Sequence, residues 1–221
     1  MTRMNPARPV LVAVVLLGAW TAQAAETSKV MGSIDVAAGE HAGDVSTVNG
    51  SIEIGENAVI GSAHTVNGGI ELGRHATARE LTTVNGSVAV REAARVTGAV
   101  STVNGKLTVE KDADIAGALG NVNGEIKVIA AHVGGEIATT SGGMELGPNA
   151  HVDGGLHVSK DSSWISFVRK SVPRIVIGPG SVVRGTLRFE RTVKLYVSER
   201  ATIGSVEGAT AIRFATEAPA D

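Results

Sequence analysis

The 221 residues include 28 glycines and no cysteine, aromatics make up 3%, and the formal charge is −2. A disulfide framework is excluded, and so is a core that leans on large rings. The near-neutral balance argues against a general nucleic-acid binder, which would be basic overall.

In chain order, residues 1–24 read as a secretory signal peptide. Arg3 and Arg8 form a positive n-region, Val10 to Ala19 an apolar h-region, and Ala22-Gln23-Ala24 a small-x-small cleavage pattern. The apolar run is short for a bilayer span. The mature chain is therefore expected to be exported to the periplasm or cell surface, with no transmembrane span, no cofactor and no nucleic-acid partner.

Residues 25–158 are organised by Thr-Val-Asn-Gly, which occurs at Thr47–Gly50, Thr65–Gly68, Thr83–Gly86 and Thr102–Gly105. Asn121–Gly124 is a variant, and Thr139–Gly142 a weaker copy. The glycines at 32, 50, 68, 86, 105, 124 and 142 are 18 or 19 residues apart. A second period of six lies within the first, through Val36, Ala42, Val48, Ile54, Ile60, Val66, Leu72, Ala78, Val84, Val90 and Val96. Many of these have a further apolar residue two positions earlier, as in Ile34, Ile52, Ile70 and Val88. Period two inside six, three sixes to the repeat, predicts an all-β, single-stranded, three-sided parallel β-helix of about nine turns. Each turn is too thin to bury its own apolar side, and stacking buries a continuous core.

In this reading every sixth residue points inward, Val48, Val66 and Val84 included. The Asn-Gly pairs are corners, where tolerance of positive φ is expected to matter. Asn49, Asn67, Asn85, Asn104 and Asn123, with Gly50, Gly68, Gly86, Gly105 and Gly124, then form a column. The amides either hydrogen-bond up that column or cap their own turns. The residues between the inward pairs, Asp35, Glu53, Glu71, Ala89, Thr108, Lys127 and Glu145, face water.

The pattern breaks at 159–174, an insertion loop or short amphipathic helix. Trp164, Phe167, Arg169, Lys170 and Arg174 are its candidate contacts with a partner. Residues 175–214 resume the solenoid, with Phe189, Tyr196 and Phe214 as a terminal cap, and 215–221 read as a tail. Charge is uneven. Residues 25–158 carry 8 Lys or Arg against 16 Asp or Glu, a balance of −8, while residues 159–200 carry 9 against 3, a balance of +6. Head-to-tail association or contact with an anionic envelope component follows as an expectation.

Catalytic signatures are absent: no Cys nucleophile, Gly-x-Ser-x-Gly elbow, His-Glu-x-x-His helix or Walker loop occurs. The six histidines are scattered around the turns, and Asp112 and Asp114 fall at a corner. No catalytic or metal-binding residue is assigned.

Leu146-Gly-Pro-Asn-Ala-His-Val-Asp-Gly-Gly-Leu-His-Val158 and Ile177-Gly-Pro-Gly-Ser-Val-Val-Arg-Gly-Thr-Leu187 resemble the bactofilins. That resemblance implies a right-handed helix assembling end to end into filaments without nucleotide. The repeats also look like those of putative bacterial adhesins. A rival likeness, in Ile54-Gly-Glu-Asn-Ala-Val-Ile60-Gly-Ser-Ala-His-Thr-Val66, is to the hexapeptide-repeat acyltransferases. It implies a left-handed helix, with a catalytic histidine mapping to His64 or His75. The first reading makes the chain a non-catalytic structural or adhesive solenoid, and the second an enzyme.

Overall fold

The computed structural model describes residues 26–160, 172–216 and 218–219. The predicted signal peptide lies outside these residues. Among the described residues there is no helix, and every paired strand is parallel. The chain coils through three sheets of 10, 7 and 10 strands, a β-solenoid of about nine turns of roughly 19 residues.

One rung shows how the sequence makes the turn. Ile52–Ile54 is a strand of the first sheet, with both isoleucines buried and Glu53 exposed. The chain bends through Gly55 to Asn57 into the second sheet, where Ala58 and Ile60 point inward and Val59 bridges His41 below and Thr77 above. It bends again at Gly61 into the third sheet, Ser62–Asn67, where Ala63 and Thr65 point inward. Asn67 and Gly68 then return it to the first sheet at Ile70.

Register is strict. Ile52 pairs with Ile34 and Ile70, and Ala63 pairs with Val45 and Leu81. Like residues therefore stack on like, and the core is one continuous column from Ile34 to Val197. Each fully buried side chain of the size of Leu81 contributes roughly 1.5–3 kcal/mol relative to leaving it exposed. The stack carries on across residues 161–171: Leu146 pairs with Ile177, and Leu156 with Leu187.

The structure corrects the six-residue rule on the third side. Val48, Val66, Val84, Val103 and Val122 are exposed, at 36–40%. The inward pair there is Val45 and Thr47, repeated as Ala63 and Thr65, Leu81 and Thr83, and Val100 and Thr102. Inward residues thus run Ile54, Ile60, Thr65, Leu72, with steps of six, five and seven. After Thr47 the chain already turns the corner, so Val48 and Asn49 both face out.

Three residues of Thr-Val-Asn-Gly, the threonine, the asparagine and the glycine, then have a physical task. The buried Thr47, Thr65, Thr83 and Thr102 hydroxyls donate to the carbonyls of Gly32, Gly50, Gly68 and Gly86, 2.9–3.1 Å away in the turn before. Asn121 replaces the threonine and does the same through Nδ2 to Gly105 O at 2.8 Å. The asparagines form the ladder: Asn67 Nδ2 donates to Asn49 Oδ1, Asn85 to Asn67, Asn104 to Asn85, and Asn123 to Asn104, at 2.9–3.0 Å.

The glycines are required for space more than for conformation. A Cβ on Gly68, Gly86 or Gly105 would lie 1.9 Å from the carbonyl oxygen of the glycine one turn before. In this column only Gly32 (102°) and Gly124 (126°) have positive φ. The non-glycine residues with positive φ sit instead at the corner between the first and second sheets: Asn57, His75, Ala93, Asp112, Ala130 and Asn149, at φ 45–59°.

At the far end Phe189 and Phe214 are buried. Tyr196 differs: it alternates with the buried Leu195 and Val197, so it faces outward on the first sheet.

Candidate interaction surfaces

The solenoid presents three long faces, each a column of outward side chains one strand spacing apart. On the first sheet the column reads Asp35, Glu53, Glu71, Ala89, Thr108, Lys127, Glu145, Val176 and Tyr196. Its N-terminal half borders a groove of about 570 Å³. Arg91 spans this groove, bonding Glu71 at 2.8 Å and Glu110 at 2.6 Å, and these two carboxylates hold its proton more tightly than usual. Arg74 pairs with Glu92. Among the described residues Asp35, Glu53 and Glu56 have no ion pair, so the groove keeps a negative surplus.

The second sheet carries a charge ladder. Arg95 bonds Asp114 at 3.0 Å, Asp114 Oδ1 is 2.7 Å from His132 Nδ1, and His132 Nε2 is 3.0 Å from Asp153 Oδ2. Arg184 closes it on Asp153. The hydrogen bonds to Asp114 and Asp153 push the His132 pKa up. The His132 hydrogen bond, with Arg184 beside it, holds Asp153 below the usual carboxylate range. Near the first turns Asp44 accepts the backbone N–H of Ser62 and reaches Arg79, and both lower its pKa, the backbone bond most.

The third sheet is the least charged along its first turns. Its valine and asparagine columns run beside Ser46, His64, Thr82, Ser101, Gly120 and Ala138. Gly120 and Ala138 leave a shallow depression of about 340 Å³, walled by Val84, Val103 and Val122. Further along, His157 Nε2 lies 3.2 Å from Glu190. The Lys160 backbone N–H, then His157, lower the Glu190 pKa.

Of the residues read as a partner contact, Trp164, Phe167, Arg169 and Lys170 lie outside the described residues. Arg174 opens the strand Arg174–Ile177 and is exposed, its guanidinium 5.2 Å from the centre of the Tyr196 ring, a cation–π geometry. His64 and His75 fall on different parts of the turn, His64 in the middle of a third-sheet strand and His75 at the left-handed corner. Among the described residues no group of three or more His, Asp or Glu side chains is placed to hold a metal ion. No helix there is long and apolar enough to cross a membrane.

The threonine-to-glycine bonds and the second-sheet ladder escaped the sequence reading. Arg95, Asp114, His132 and Asp153 are 18–21 residues apart, so alternating charge at the repeat spacing was the available signal. Compared with protein-family profiles, with curated proteins and with solved structures, the chain finds no match in any of the three.

Proposed function

We propose that this chain is an exported, non-catalytic β-solenoid with a structural or adhesive role, which associates end to end with its own copies or holds a cell-envelope component. The observation that carries the reading is the contrast between the two ends. Each end finishes in strands with a neighbour on one side only: Thr27–Met31 and Ile34–Val36 at one, Thr202–Ile203, Val206–Glu207 and Ala211–Phe214 at the other. Such edges are templates for further strands.

Their charges are opposite. Residues 26–72 carry 1 Lys or Arg against 7 Asp or Glu, a balance of −6, and residues 172–216 carry 7 against 3, a balance of +4. A head-to-tail contact brings the acidic end onto the basic one and extends the first and third sheets. The resemblance to bactofilins supports this polymer-forming reading, and the predicted signal peptide supports export.

Light scattering and negative-stain imaging of the purified protein across a salt series test it. Length-variable oligomers that shorten as salt rises support the reading, because screening weakens the contrast between the ends. A salt-independent monomer contradicts self-association and leaves the envelope component as the partner. A uniform closed trimer contradicts head-to-tail growth.

A further inference from the structure

His132 has a carboxylate at each ring nitrogen, Asp114 at 2.7 Å from Nδ1 and Asp153 at 3.0 Å from Nε2. A neutral imidazole has one N–H, so it serves one of these and turns a lone pair toward the other. The imidazolium serves both. The surroundings are arranged for that charge. Asp114 comes from the turn before and is also held by Arg95. Asp153 comes from the turn after and is also held by Arg184. His151, the register partner of His132 on the following turn, directs its Nδ1 to Asn149 O at 3.1 Å instead.

The position matters as much as the chemistry. Arg184 follows residues 161–171 in sequence and Asp153 precedes them. The chain Arg95–Asp114–His132–Asp153–Arg184 therefore stitches together the turns on both sides of the one long interruption of the repeat. Asp153 is the shared link, grasped from one side by His132 and from the other by Arg184.

We propose that His132 is a proton-operated clasp for this junction, closed when its ring is protonated and released when it is neutral. With the proton lost, one of the two carboxylates faces a lone pair, and the ladder breaks beside the junction. His132 is half-exposed, so protons reach it without unfolding of the core. The sign of the linkage follows. The carboxylates raise the His132 pKa above its ordinary 6.5, so the clasp contributes fully below about pH 6.5 and is lost as the pH rises through the folded-state value. Asp153, lowered from 3.8, contributes above that pH and is lost in acid. The junction is tightest in mildly acidic medium and loosens on the alkaline side.

Hydrogen exchange measured by mass spectrometry on the purified protein, with rates corrected for the intrinsic effect of pH, tests the proposal. It is paired with an NMR titration of the His132 ring. Between pH 6 and pH 8.5 the strands His132–Val133, His151–Val152 and Val182–Val183 should lose about fivefold in protection, the upper range for an exposed ion pair. Ile52–Ile54 and Ile70–Leu72 should not change. In His132→Gln the loss should vanish, leaving the junction at its high-pH protection throughout, and the wild-type ring should titrate above 6.5. A uniform pH response along the rod, a response that persists in His132→Gln, or a ring titrating below 6.5 would each overturn the clasp. The titration uses the wild type alone, so it stands whether or not the variant folds.

Discussion

The Thr83 hydroxyl donates to the carbonyl of Gly68 at 2.9 Å, from one turn to the one before. Thr83 is buried and its neighbour Val84 is exposed, the reverse of what side-chain polarity suggests. The corner explains the inversion. The Gly68 carbonyl has left the strand ladder where the chain bends, and a buried carbonyl without a donor is costly. Thr83→Val keeps shape and volume and removes the donor. We expect it to cost about 1–3 kcal/mol in urea denaturation. A change below measurement error would mean that water already serves Gly68.

Val84→Asp places a charge on the outward column and should change stability by no more than about 0.5 kcal/mol, as for ordinary surface substitutions. Leu81→Asp, three residues earlier and fully buried, should abolish the cooperative melt, because an unpaired carboxylate cannot enter the core. The pair of thermal melts checks the facing of the third sheet.

Gly86→Ala puts a methyl 1.9 Å from the Gly68 carbonyl oxygen, a backbone atom that cannot swing away. The adjoining strands must separate, and a loss of at least about 1–3 kcal/mol is expected from overpacking. Asn85→Ala removes two exposed rungs of the ladder, to Asn67 and from Asn104. It should cost about 1 kcal/mol, the ordinary net value of a hydrogen bond. If Asn85→Ala proves the more damaging by chemical denaturation, the account of the glycine column is wrong.

At the left-handed corner Ala93 sits at φ 55° and Ala130 at φ 45°, where Asn57 and Asn149 occupy the equivalent positions. An L-residue with Cβ pays roughly 1–2 kcal/mol there, and asparagine less. Ala93→Asn should therefore stabilise the protein by roughly 0.5–1 kcal/mol, seen as a higher melting temperature.

The period and the first two sides were legible in the sequence because aliphatic residues mark them without competition. Ile52 and Ile54 alternate with Glu53, and Ala58 and Ile60 follow six later. The third side was misread because two signals collided there. Val48 kept the six-residue spacing and is the most apolar residue of its motif, whereas Thr47 faces in to serve a carbonyl. The decisive clue lay two residues before each threonine, at Val45, Ala63, Leu81 and Val100, every one of them apolar. The reason for the glycines was also hidden, since steric conflict with a carbonyl one turn away is a property of the stack. Ladders such as Arg95 to Arg184 depend on which rotamers meet across turns, and spacing limits that without fixing it.

One in-register stack joins the turns that end at Val158 to those that begin at Arg174. The chain has no cysteine, so spin labels can be placed singly. Ser46 and Arg188 share an outward column of the third sheet, seven pairing steps apart. With Ser46→Cys and Arg188→Cys labelled, electron double resonance should give one narrow distance distribution centred near 34 Å, at about 4.8 Å per step. A distribution centred well below that, or a broad one, would contradict a single continuous rod.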